Sequence, residues 1–328
     1  MCKLEANLAG KGKILMKFVS FSDRRGPVRV GVLDDASHVI DCKAVDKNFP
    51  SSMLELIRAG QAGIQQAQSV LDSAPSKARV SCNEVRLVAP IPRPTKNVFC
   101  VGRNYKEHVE EGHRTRGTEI VYPKAPQFFT KAPTAVIGPD ETASLDPRVT
   151  RMFDYEAELG IIIGSGGVNI SEADADDAIF GYTIVNDFTA RDLQRHHDQW
   201  FKGKSLDRSC AIGPCIVHKS AIANPQDLEI ELTVNGEQRQ ASRTSYMIFS
   251  IAKIIRDLSL GMTLEPGDII ATGTPKGVGF AMDPQQFLAD GDEVVITIEG
   301  IGELRNRVEQ VTTIYEKQSS RARRLSVF

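Results

Sequence analysis

The stretch FDYEAELG, residues 153–160, sets three carboxylates, Asp154, Glu156 and Glu158, at alternate positions in an otherwise apolar run that continues into IIIG. On a strand, side chains two residues apart share a face, so Glu156 and Glu158 point the same way, about 7 Å apart along the chain. Like charges held that close raise each other's pKa unless a cation lies between them. Hard oxygen donors of this kind suit Mg²⁺, Mn²⁺ or Ca²⁺ rather than zinc. The competing reading is a solvated strand edge, which the apolar flanks disfavour. Downstream, the run YTIVND ends in Asp187, where a buried strand would open onto a cleft. Asp187 could equally cap the helix that FTARD suggests.

A second chemical pair lies upstream. YKEHVEEG places Glu111 three residues after His108, so on a helix the carboxylate can orient the imidazole as a general base. A solvated surface helix is the alternative, and Glu110 lies one step off the shared face. Arg191 and Gln194, four and seven residues after Asp187, could face the same cleft or belong to an ordinary solvated helix face. Arg103 in GRNY could fork onto a substrate carboxylate, or sit on the surface. TGTPKGVG, residues 272–279, is rich in glycine but lacks the spacing of a phosphate loop, which excludes nucleotide binding of that type. His196 and His197, adjacent on a helix, point about 100° apart and are read as polar surface. The lone Trp200 reads as a packing anchor.

The elements that must position these groups follow from composition and periodicity. The chain has 328 residues, 41% hydrophobic and 25% charged, enough to bury a core without staples. Forty basic residues against 42 acidic ones give a formal charge of −2, so bulk charge attracts neither nucleic acid nor an anionic membrane, and a small-molecule partner is expected. Six scattered cysteines without a CxxC pair read as reduced thiols, as in a cytoplasmic protein or, in a eukaryote, a mitochondrial one. No apolar run approaches the roughly 20 residues of a membrane span. Residues 1–15 read as a dispensable extension, and RARRLSV as a disordered tail.

ILMKFVSF, VRVGVLD and HVIDC predict an antiparallel meander, and residues 51–74 one helix with an apolar stripe at Met53, Ile57, Ile64 and Leu71. Three prolines within 86–97 predict a linker or rigid crossing. The remainder is strand-rich, with helical windows near 105–111, 172–179 and 246–259, a type I′ hairpin at Asn235-Gly236, and a mobile loop over 112–126.

VGRNYKEHVEE, FDYEAELG, GYTIVNDFTARDLQ, FKGKSLD, MIFSIAKII and LEPGDIIATGTPKGVG, in this order, resemble the fumarylacetoacetate hydrolase (FAH) family from about residue 95 to about 308. The resemblance implies a mixed α/β, strand-rich fold, a β-sandwich roll with a small N-terminal domain. The divisions would be 1–15 as extension, 16–90 as the small domain, 91–312 as the catalytic domain and 313–328 as tail. It also implies Mg²⁺ or Mn²⁺, with Ca²⁺ as a third candidate, on Glu156, Glu158 and Asp187. Asp154 falls outside that triad, as a supporting or surface residue. His108 and Glu111 would form the catalytic dyad on a segment that closes over the site. Lys204 would be the active-site lysine, with Lys202 as the bland alternative. Thr274 would contact a substrate carboxylate, joined by Arg103, Arg191 and Gln194.

A homodimer is implied as well. The expected activity is hydrolysis of the carbon-carbon bond in 2,4-dioxo acids of the acylpyruvate or fumarylpyruvate type. The alternatives are an oxaloacetate decarboxylase, an isomerase of 2-hydroxy-dienedioates, a 2,4-dioxo sugar-acid hydrolase, or a structural metal-binding protein. All these reactions share an enolate, and an intact H-x-x-E weakly favours hydrolysis or decarboxylation over simple tautomerisation.

Overall fold

The structure, a computed structural model, describes residues 16–23, 26–34 and 38–311; the proposed extension and tail lie outside the described residues. The meander forms as expected from Lys17–Ser22, Arg29–Leu33 and His38–Asp41, all antiparallel. It is continuous with the rest of a twelve-stranded sheet, because Lys17 pairs with Val217 and Phe18 with Ile216 on the strand Cys210–His218. From there the sheet runs through Ile179–Asp187, Ala157–Ile163, Ile269–Ala271 and Val98–Gly102 to Gln127–Lys131 at the edge. The proline-rich stretch is not wholly a crossing: Arg86–Val88 is a strand paired with Lys17–Ser22.

A second, five-stranded sheet contains Glu237–Arg243, Glu229–Val234, Glu293–Ile298, Gly302–Gln310 and Thr142–Leu145. It packs against Ala157–Ile163, Ile179–Asp187 and Cys210–His218. Leu159, Ile161 and Ile163 face the core between the sheets, while Ile162 faces a second core that the N-terminal helices cover. This double burial explains why LGIIIG is apolar without alternation. The hairpin turns at Asn235 and Gly236 with φ of 53° and 81°, as a type I′ turn requires.

The helices depart from expectation at their ends. The single helix over 51–74 is two, Met53–Arg58 and Gly60–Ser73, broken where Gly60 takes a φ of 54°. The window at 105–111 continues to Arg116 and stops at left-handed Gly117, so the loop expected over 112–126 is helical in its first third. The window at 172–179 shortens to Ala175–Ala178. That at 246–259 begins only at Ile251, capped by Ser250, which accepts from the Lys253 N–H. Along this last helix Ile251, Ile254, Ile255 and Leu258 bury one stripe, each side chain contributing roughly 1.5–3 kcal/mol.

Candidate metal centre and active site

Strand register assembles the acidic group. Ala157 lies opposite Asn186 and Glu158 opposite Val185, and the Asp187 N–H donates to the Glu156 carbonyl. Glu156 and Asp187 are therefore cross-strand neighbours, with Glu158 one pleat further on the same face. One oxygen from each carboxylate lies within 4.8 Å of the others, and all three residues are buried. The FDYEAELG segment thus does place its two glutamates on one face.

Cations surround this group. Lys204, from the short helix Phe201–Lys204, donates to Glu156 Oε2 at 2.6 Å and to Asp187 Oδ2 at 2.7 Å. Lys131, fully buried at the end of the edge strand, has its Nζ 2.6 Å from Asp187 Oδ1 and donates to the Phe188 carbonyl at 2.9 Å. The Lys131–Asp187 contact is a fully buried ion pair. Arg191 donates from Nε to Asp154 Oδ2 at 2.8 Å and from Nη1 to Glu156 Oε1 at 2.6 Å and Gln194 Oε1 at 3.2 Å. Its Nη2 is buried and has no hydrogen-bond partner among the described residues. Asp154 is consequently no surface residue: it is fully buried and also accepts from the Gly279 and Phe280 N–H groups.

Electrostatics follow from this packing. Burial alone would raise the pKa of Glu156, but Lys204, then Arg191 and His108, outweigh it and hold the carboxyl at about 2. Glu158 is pushed well above the ordinary carboxylate range by burial and by Asp187 and Glu156; the Gly273 N–H, donating to its Oε2 at 2.8 Å, opposes this only partly. Burial lowers the pKa of Lys204, and Asp187 and Glu156 more than restore it. With all four ionised, as ligation of a cation requires, Asp154, Glu156, Glu158 and Asp187 outnumber the cations Lys131, Lys204 and Arg191 by one negative charge, and Glu158 is the carboxyl that bears this crowding. A divalent cation on Glu156, Glu158 and Asp187 fits both this charge and the hard oxygen donors. It would convert the deficit into one positive charge, suited to an anionic ligand.

The dyad sits on the helix Lys106–Arg116. His108 Nδ1 is 2.8 Å from Glu111 Oε1, and Glu111 Oε2 accepts from the Gly277 N–H at 2.8 Å. Because the carboxylate only accepts, it fixes a proton on Nδ1 and leaves Nε2 as the nitrogen free to take one. Gly277 has a φ of 102°, and a Cβ there would run into the Arg239 carbonyl, so only glycine presents this N–H without strain. Glu110, one step off the face, accepts from the Tyr122 hydroxyl instead.

One cavity of about 390 Å³ joins the two groups, lined by His108, Glu156, Glu158, Arg191, Lys204 and Phe280, among others. Arg103, Gln194 and Thr274 also reach it, although Thr274 is buried and its hydroxyl accepts from Gln240. Glu111 backs His108 and Asp187 lies beneath the lysines, neither forming the wall. His197 and Trp200 line the cavity too, and Trp200 packs edge-on against Phe129 with ring centres 5.4 Å apart. Lys202 is exposed. Sequence reasoning missed Lys131, whose signal was a lysine closing the otherwise apolar strand QFFTK. It also missed Arg116, Arg195 and Phe280, which carry no local signal.

Comparison with known proteins places the chain. Residues 97–309 match the family described as "Fumarylacetoacetate (FAA) hydrolase C-terminal", nearly the span read from the motifs. The oxaloacetate tautomerase YisK of Bacillus subtilis is 45% identical over 291 residues, covering 85% of this chain and 95% of that protein. A fumarylacetoacetate hydrolase from Exiguobacterium antarcticum is 42% identical, with a TM-score of 0.77 over 90% of this chain and 99% of its own. A maleylpyruvate hydrolase from Sphingobium sp. SYK-6, in complex with manganese (II) ion and pyruvate, is 29% identical, with a TM-score of 0.73 over 90% and 99% of the two chains. The chain belongs to the FAH family. Among the described residues, no helix is long and apolar enough to cross a membrane, and Cys42, Cys82, Cys100, Cys210 and Cys215 form no disulfide.

Proposed function

From that membership we propose that this protein is a divalent-metal-dependent tautomerase of a small 2-oxo dicarboxylic acid, interconverting the keto and enol forms of oxaloacetate. The observation that carries the reading is the meeting, in one cavity, of the three-carboxylate group, Lys204 and a single His108–Glu111 dyad. Such a site makes and reprotonates an enolate. The similarity to an oxaloacetate tautomerase at 45% identity favours tautomerisation over the carbon-carbon hydrolysis expected from the motifs.

When bound on Glu156, Glu158 and Asp187, Mg²⁺ or Mn²⁺ supplies chelation of the 2-oxo acid head and charge stabilisation for its enolate. His108 Nε2 takes the proton from the carbon between the carbonyl and the distal carboxylate, and returns it to the enol oxygen. Glu111, clamped by Gly277, steadies the imidazolium between the two transfers. Lys204 spends two of its three N–H donors on Glu156 and Asp187, and the third remains for the developing oxyanion. Arg191 Nη2 keeps one donor for the substrate head. One C–H bond breaks and one O–H bond forms, no water is consumed, and one base suffices.

The test follows the ultraviolet absorbance of freshly dissolved enol-oxaloacetate with Mn²⁺, alongside pyruvate release. Enol decay accelerated well ahead of pyruvate formation is expected. Pyruvate release from acetylpyruvate or fumarylpyruvate, without acceleration of enol decay, would overturn it. That outcome would install the second reading, a hydrolase in which His108 activates water, which the likeness to a maleylpyruvate hydrolase favours. Pyruvate from oxaloacetate alone would indicate a decarboxylase. A cytoplasmic homodimer belongs to the same proposal, and light scattering on the purified chain tests the assembly.

A further inference from the structure

The cavity holds a second charged group that the proton transfers above leave unused. Arg103, Arg116 and Arg195 all line it, and none of the three has a carboxylate partner among the described residues. Arg103 is held by neutral groups: its Nη2 donates to the Val121 carbonyl at 2.6 Å and meets His113 Nε2 at 2.9 Å. Its backbone is left-handed, with φ of 58°, a conformation that a residue with a long side chain adopts only when its surroundings impose it. Arg195 lies against the Phe280 ring, 5.3 Å from its centre. Arg116 folds back one turn along its own helix onto Gly112, where a methyl group would come within 3.2 Å of its Nη2. Glycine inside a helix is unfavourable, and here its missing side chain leaves the bed on which the guanidinium lies. Partial burial, and then the charges of Arg103 and Arg195, lower the pKa of Arg116, in keeping with their shared place on the cavity lining. Guanidinium groups gathered on one cavity without carboxylates offer their forks to a planar anion such as a carboxylate.

We propose that Arg103, Arg116 and Arg195 clamp a second carboxylate of the substrate, so that the site selects dianionic acids over monoanionic ones of the same length. The clamp lies on the same cavity as the acidic group, so one ligand spans both. This rests on the reading of that group as the seat of a metal-chelating acid head.

The test is calorimetric titration of the Mn²⁺-loaded full chain with racemic malate and with 2-hydroxybutyrate. These are unreactive four-carbon 2-hydroxy acids that differ by one carboxylate. The wild type should bind malate about 10-fold or more tightly, the worth of one charge-assisted contact. Arg116→Gln and Arg195→Gln should each remove most of that preference while changing 2-hydroxybutyrate affinity far less, and Gly112→Ala should act in the same direction. The preference should also shrink with added salt, because the two outer arginines are exposed. Equal wild-type affinities, or variants that weaken both ligands alike, would overturn the clamp. A malate preference without accelerated enol decay keeps the clamp and sinks the tautomerase; accelerated decay without the preference does the reverse.

Discussion

The acidic group and the helix that carries His108 face each other across one cavity, but they are held in different ways. Glu156, Glu158 and Asp187 are set by the register of two central strands and are wrapped by Lys131, Lys204 and Arg191. His108 rides on one helix, and a single hydrogen bond, from Gly277 to Glu111, ties its partner to the far wall. Beside it, the ion pair of Lys276 with Glu107 and the bond from Tyr122 to Glu110 are exposed. Under the proposed function, the groups that hold charge are built into the sheet, and those that move protons are borne on one helix. Damage to the first should cost stability and chemistry together, and damage to the second chemistry alone.

Asp187→Ala should break that contrast most severely. It leaves Lys131 and Lys204 buried without their shared carboxylate, at a cost of about 3–5 kcal/mol, and Mn²⁺ binding should disappear. Denaturant unfolding and calorimetry check both. His108→Ala should lower kcat by about 10²–10⁴-fold with melting temperature and Mn²⁺ affinity near wild type. A large loss of stability in this variant would show that the helix is not separable. Gly277→Ala should fall between them, costing about 1–3 kcal/mol through its left-handed backbone and lowering kcat by displacing Glu111.

Acid should weaken the sheet side. Glu156 titrates at about 2 in the folded protein against an ordinary 4.5, so its stabilisation is complete above about 4.5 and is lost as pH falls toward 2. Unfolding free energy should decline through that window in the wild type and more gently in Glu156→Gln. Smallest of all, Tyr122→Phe removes an exposed hydrogen bond and should change stability by less than about 0.5 kcal/mol.

How much of this the sequence carried depended on whether the signal was local. Alternation placed Glu156 and Glu158 on one face, helical spacing paired His108 with Glu111, and Asn235-Gly236 specified its own turn, because period and turn chemistry are properties of a few neighbouring residues. The burial of Asp154 was illegible, since what buries it is Arg191, 37 residues away, and the N–H groups of Gly279 and Phe280, more than a hundred away. Lys131 meets Asp187 only through the closing of the sheet, and the pairing of Lys17–Ser22 with Cys210–His218 joins residues 200 apart in the chain, Lys17 and Val217. The helix ends misread at Gly60 and Arg116 turn on single backbone angles, which periodicity does not report.

The loop from Thr272 to Gly279 offers its backbone to three groups at once: Gly273 to Glu158, Gly277 to Glu111 and Gly279 to Asp154. It works as a gauge block that sets these three carboxylates at once, and inserting or deleting one residue there would put all three out of adjustment together. The arginines at the mouth take nothing from it. Exchanging those arginines one at a time therefore leaves the settings of Glu158, Glu111 and Asp154 in place.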